Sequence, residues 1–199
     1  MKKRLSMTIA ALALAIAPSA AWADGYFVPF IGPNFGGNVG RPLSETVDER
    51  NRFSWGFGVG GMAGGIFGAE FDFGYTHNFY ASDGAVVTKS NLITAMPSLV
   101  IGIPVGGQHG AGIRPYFTAG LGLLRTQIDG GTLGNVSSSD NGLGWNAGGG
   151  VMGYFTDHVG VRGDIRYMRG FNEQDLGFDS GDNLQALRFW RASVGVVFR

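Results

Sequence analysis

The sequence predicts an all-β chain, an eight-stranded antiparallel transmembrane up-and-down β-barrel preceded by a cleaved signal peptide. Three observations predict it. The chain opens with a basic start, a short apolar run and a small-residue site. Beyond that, apolar residues alternate with small or polar ones at a period of two, segment after segment. The segments are joined in turn by tight and by long polar connections.

The opening comes first. Lys2, Lys3 and Arg4 precede an apolar run from Met7 to Ala17, then Pro18 and Ser19, then Ala21-Trp22-Ala23. This order is that of a secretory signal peptide, and a run of 11 residues is too short to span a bilayer as a helix. The expected division is a signal peptide over 1–23 and one barrel domain over 24–199. The leader carries three positive charges and no negative one, which leaves 12 basic and 15 acidic residues, a balance of −3. Such a surface does not suit nucleic acid. There is no cysteine, so neither disulfides nor thiolate metal sites contribute. Glycine is abundant, 36 of 199 residues and none before residue 24, yet aromatics make up 13% of the chain, which separates it from disordered glycine-rich sequences.

The strands follow in order. Tyr26 to Gly32 is the first, and Pro29 within it removes a ladder donor. In the second, Phe53, Trp55, Phe57 and Val59 alternate with Ser54, Gly56, Gly58 and Gly60. In the third, Phe67, Ala69, Phe71, Phe73 and Tyr75 alternate with Gly68, Glu70, Asp72, Gly74 and Thr76. The fourth, Leu92 to Ile103, sets Ile93, Ala95, Leu99, Ile101 and Ile103 on one parity and again holds a proline, Pro97. In the fifth, Phe117, Ala119, Leu121 and Leu123 alternate with Tyr116, Thr118, Gly120 and Gly122. The sixth places Trp145, Ala147, Gly149, Val151 and Phe155 against Gly144, Asn146, Gly148 and Gly150. The seventh places Val159, Val161, Ile165 and Tyr167 against Gly160, Arg162, Asp164 and Arg166. The last places Trp190, Ala192, Val194, Val196 and Phe198 against Arg191, Ser193 and Gly195. Side chains of a strand point to opposite faces in turn, so each segment has one apolar and one small or charged face.

Connections 33–52, 81–91, 128–142 and 171–186 are long and rich in Gly, Asn, Asp and Ser. Those at 62–65 and 155–158 are tight, and 104–112 is intermediate. An even strand count with short turns on one side and longer loops on the other fits an outer-membrane barrel, with both termini on the short-turn, periplasmic side.

Alternation alone does not say which face is outside, since a soluble lipocalin-like barrel turns its apolar face inward. Three features favour lipid. The minor parity is small and glycine-rich, suited to the narrow interior of eight strands rather than to a solvated exterior. Its charges have mixed sign, Glu70, Asp72 and Asp164 with Arg162, Arg166 and Arg191, so they can pair across a lumen as buried charges must. Finally, Phe67 to Tyr75, Val159 to Tyr167 and Trp190 to Phe198 each cover eight steps. At about 3.3 Å per residue and a tilt near 40°, that is roughly 20 Å, close to the apolar band of such barrels. The expectation is therefore apolar residues facing acyl chains, with small and ionic ones packing the centre. In hydrocarbon every backbone group must be paired, so the last strand must meet the first.

At these residues the chain resembles the outer-membrane β-barrel family of small porin, opacity-protein and OmpA-type barrels, over essentially all of the part beyond the leader. The resemblance is carried by Arg114-Pro115-Tyr116-Phe117-Thr118-Ala119-Gly120-Leu121-Gly122, by Asn146-Ala147-Gly148-Gly149-Gly150-Val151, by Val161-Arg162-Gly163-Asp164-Ile165-Arg166-Tyr167 and by the strand ending at Phe198. That closing strand is similar to the signal read by the barrel-assembly machinery, with Arg191, Ser193, Val196 and Phe198 in its polar, small and two hydrophobic places. Serine stands where glycine is usual, and Arg199 follows the aromatic. The peptidoglycan-binding domain of some relatives is not expected.

Other constellations are weaker. Gly56-x-Gly58-x-x-Gly61 has the spacing of a dinucleotide fingerprint but lies in an alternating strand with no helix to receive a pyrophosphate. His77, His109 and His158 lack metal-ligand spacing. His77 and Ser82 imitate the Ser–His pair of lipid A hydrolases without a matching local motif. Arg125, Arg169 and Arg188 keep the apolar parity at the loop-side strand ends, where guanidinium can meet phosphate, and are candidates for lipopolysaccharide contacts. The expected function is a non-enzymatic, structural, surface-exposed outer-membrane barrel. A narrow passive pore is the first alternative and a lipid A-modifying enzyme the second. The expected partners are outer-membrane lipid, lipopolysaccharide and, during biogenesis, the assembly machinery. No cofactor is expected; the sequence does not determine the oligomeric state, for which a monomer is the expectation.

Overall fold

The computed structural model describes residues 23–36, 53–77, 87–106, 110–130, 137–171 and 187–199. Where the sequence alternates, the chain is extended: β1 (Ala23–Phe35), β2 (Phe53–Ala63), β3 (Phe67–His77), β4 (Val87–Gly102), β5 (Gly112–Gly130), β6 (Ser137–Tyr154), β7 (Val159–Gly170) and β8 (Arg188–Phe198). They form one closed antiparallel barrel in sequence order, and β8 returns to pair with β1.

Register fixes the two ends. Ala23 faces Ala63 beside the β2–β3 turn, and Phe198 faces Val159 beside the β6–β7 turn, so both termini share the end that carries the tight turns. The β2–β3 turn closes over Gly64 and Gly65, whose φ angles of 58° and 71° favour glycine.

The connections are shorter than the sequence reading gives at three places. The ladder runs through Phe35, from Val87, and out to Asp129 opposite Ser137, so 33–35, 87–91, 128–130 and 137–142 belong to strands. The physical reason is that alternation marks only the stretch with one apolar face. Backbone pairing continues beyond it, where the sequence carries no such pattern.

The internal prolines fit by sitting where one ladder is interrupted. Pairing of β1 with β8 skips Val28–Pro29 and Gly32–Pro33, and that of β4 with β5 skips Met96–Pro97, with the register unchanged on either side. Pro29 and Pro97 still have partners on their other flank, Phe57 and Phe71.

The faces divide by parity as expected. Trp55, Leu99, Leu121, Val161 and Val194 are exposed on the outer wall, while Glu70, Asp72, Arg166 and Arg191 are buried. One part of the expectation fails. The interior is not packed by small and ionic residues alone, because two apolar clusters flank the charges. Tyr26, Val28, Met62, Val100, Tyr116, Met152, Tyr154 and Val197 fill the short-turn side, and Leu92, Met96, Leu124, Met168 and Phe189 fill the loop side. All four methionines beyond residue 23 lie inside, where an unbranched, polarizable side chain fills irregular gaps. They do not stand out in the sequence because the nearest residues on the same parity are mostly glycine or polar, as Thr94 and Ser98 are beside Met96.

Candidate functional site: the lumen belt and the outer rim

The inward positions of β3, β7 and β8 deliver three carboxylates and three guanidiniums to one level of the barrel. Glu70 and Asp72 come from β3, Arg162, Asp164 and Arg166 from β7, and Arg191 from β8. Residues i, i+2 and i+4 share a face, so each strand places its charges side by side. Arg162 reaches across to Glu70, Nη1 to Oε2 at 2.5 Å and Nη2 to Oε1 at 3.1 Å, and its Nη2 also donates to Asp164 Oδ2 at 3.0 Å. Arg166 spans all three acids: Nη2 to Glu70 Oε1 at 2.6 Å, Nε to Asp164 Oδ2 at 2.7 Å, and Nη1 to Asp72 Oδ2 at 3.4 Å. Arg191 Nη2 donates to both oxygens of Asp72 at 2.7 Å, and its guanidinium lies 4.5 Å from the centre of the Phe30 ring. The belt is electrically balanced.

Sequence reasoning placed these six residues in the lumen but missed their neutral partners. Tyr26 donates to Glu70 at 2.8 Å. Tyr116 donates to Asp164 at 2.9 Å, receives Arg162 Nε at 2.6 Å, and lies beneath that guanidinium at 4.7 Å. Ser193 donates to Asp164 at 2.7 Å, so this inward-parity residue of the assembly signal is also a member of the belt. The clue was available: Tyr26 and Tyr116 sit on the inward parity, where a phenol needs a partner.

Glycine explains how bulky arginines fit. A Cβ at Gly74 would lie 2.7 Å from Arg191 Nη1, and one at Gly150 would lie 2.7 Å from the Tyr116 hydroxyl. The space between Asp72, Arg162, Asp164, Arg166, Phe30 and Ser193 leaves no room for a water molecule. Chemically, the belt ties β3, β7 and β8 together across the lumen by paired charges.

Of the remaining assembly-signal residues, Arg191 is buried, whereas Val196 and Phe198 are exposed on the outer wall. On the outer rim, Arg125, Arg169 and Arg188 are all exposed. Register brings only two of them together. Arg169 stands directly opposite Arg188, whereas Arg125 faces Ile93 and Asn141, well inside a longer strand than the sequence suggested. Just below the pair, Trp145, Tyr167 and Trp190 form a chain of ring contacts at 5.4 and 5.0 Å, and Trp55 meets Tyr75 at 5.5 Å on the opposite wall.

The dinucleotide-like glycines all fall within β2, which a turn and β3 follow. The His77 ring shares a hydrogen bond with Asn91 at 3.0 Å, while Ser82 and His109 lie outside the described residues, as does the leader before Ala23. His158 is exposed in the β6–β7 turn.

Comparison with known proteins agrees with this architecture. The 25 kDa outer-membrane immunogenic protein of Brucella melitensis is 26% identical over 191 residues, which covers 92% of this chain and 82% of that protein. The crystal structure of Neisserial surface protein A superposes with a TM-score of 0.63 at 18% identity, over 88% of this chain and 97% of that one. The N-terminal β-barrel domain of Pseudomonas aeruginosa OprF gives 0.55 at 16%, over 89% and 98%. The solved structures share the barrel fold, and with the family match over residues 8–198 the likeness supports a structural barrel of the bacterial outer membrane. The model of the outer membrane protein beta-barrel domain matches residues 8–198, and the chain belongs to that family.

Proposed function

We infer that this barrel is a closed, non-enzymatic structural element of the outer membrane, removed from its leader after residue 23 and inserted with both termini in the periplasm. The strand ends at Phe35, His77, Gly130 and Gly170 then lie on the outer side of the membrane. The observation that carries the reading is the belt: three acids and three arginines paired across the lumen, an apolar cluster on each side, and no room for water between them. Eight strands enclose just enough space for side chains, so a filled interior of this kind supports a plug rather than a channel. The family's short-turn periplasmic geometry supports the orientation. Surrounding lipid and, during insertion, the assembly machinery reading Arg191, Ser193, Val196 and Phe198 are the partners proposed with it.

Planar-bilayer recording of the refolded protein tests the closed lumen. The expected trace stays at background, and discrete conductance steps would overturn it. For orientation, an epitope placed at 45 should bind antibody on intact cells, and one after Arg199 only after permeabilisation. A mass shift in lipid A on expression would contradict the non-enzymatic reading.

A further inference from the structure

We propose that the outer wall between β5 and β8 carries a specific site for one phosphorylated acyl lipid, lipopolysaccharide, with an acyl chain in a groove and a phosphate on Arg169 and Arg188. The inference rests on the orientation proposed above and deepens it by naming a bound lipid and its place. Most of the outer wall is covered by large side chains, but Ala147 and Gly149 leave β6 low between its neighbours. Phe117 on β5 and Tyr167 on β7 rise on either side, and Trp145 and Trp190 stand at the loop-side end. The result is an open, almost wholly apolar groove of about 360 Å³. Two residues beyond Tyr167 and Trp190, Arg169 and Arg188 face each other across β7 and β8. Like charges directly opposite on neighbouring strands repel, and among the described residues no carboxylate pairs with either. An anion between them removes that cost, and guanidinium forks match phosphate oxygens two at a time.

Apolar groove and facing cations therefore line up along one strand direction, tail toward the membrane centre and headgroup at the rim. Arg125 is not part of the site, because register sets it beside Ile93 and Asn141, away from the groove. Lipopolysaccharide is the occupant argued for because the arginines lie at the loop end, which the orientation places in the outer leaflet, and because charge complementarity requires a phosphate.

The test uses the full barrel refolded into phosphatidylcholine nanodiscs doped with rough-type lipopolysaccharide, with its dephosphorylated form, or with phosphatidylglycerol. Retained lipid is read by native mass spectrometry. The wild type should retain lipopolysaccharide and neither of the other two. Arg169→Gln with Arg188→Gln should weaken retention by about 100-fold, roughly tenfold for each charge-assisted pairing with phosphate. Ala147→Phe should weaken it with both arginines intact, and Arg125→Gln should leave it unchanged. Unchanged retention in the double glutamine variant or in Ala147→Phe, or equal retention of phosphatidylglycerol, overturns the site. Mobility of unboiled samples on gels reports the barrel separately. A folded barrel that keeps no lipopolysaccharide sinks this site alone, and a wild type without heat-modifiable mobility sinks the closed-barrel reading with it.

Discussion

At the scale of single residues, the belt is where most depends on least. Glu70 accepts from Tyr26, Arg162 and Arg166 at once, while itself almost wholly buried. Removing one member of a buried ion pair leaves its partner uncompensated and costs about 3–5 kcal/mol. Glu70→Gln should therefore lower the unfolding free energy by that amount, read as a lower urea midpoint with the slope unchanged. A loss below about 1 kcal/mol would show that the arginines find other partners in Asp72 and Asp164. The six charges were legible from parity and mixed sign. Their pairing was not, because Glu70 meets residues 92 and 96 positions away.

At the scale of elements, the joint between β1 and β8 is the exposed flank of the architecture. Pro29 and Pro33 interrupt its ladder, and the strands come close at Gly32, where a Cβ would lie 1.8 Å from the Ala192 carbonyl oxygen. That neighbour is backbone and cannot swing aside. Gly32→Ala should thus destabilise the barrel by about 1–3 kcal/mol, as overpacking does, seen as a lower temperature for loss of heat-modifiable mobility. Gly163, whose Cβ would meet nothing within 4 Å, serves as the control and should tolerate alanine. The strands themselves were readable wherever one face is apolar. Their extensions at 128–130 and 137–142 were not, since paired backbone outside the apolar band needs no alternation.

At the scale of the whole molecule, the decisive property is which face meets lipid. Cysteines at Leu121, Val161 and Val194, all exposed on the outer wall, should be spin-labelled in a membrane and relaxed by dissolved oxygen rather than by an aqueous nickel complex. Preferential relaxation by nickel would overturn the orientation. The outer wall also differs between its ends. Tryptophan and tyrosine gather at the loop end, as Trp55, Tyr75, Trp145, Tyr167 and Trp190, while Phe67, Phe155 and Phe198 mark the other. Amphipathic rings suit an interface, and this asymmetry gives the barrel a direction in the membrane.

By itself the sequence determined the all-β class, the strand count, the inside and outside of each strand, and the six charges of the belt, though not Arg114, which is also buried in the lumen. All of these follow from a period of two and from the cost of burying an unpaired charge, which are local facts. Only the tertiary structure decided the partners. Strand register brought Tyr26, Tyr116 and Ser193 into the belt, grouped the scattered methionines into two apolar clusters, and set Arg169 against Arg188 while leaving Arg125 apart. Parity says which way a side chain points. What it meets depends on closure and stagger, which bring together residues on strands far apart in the chain.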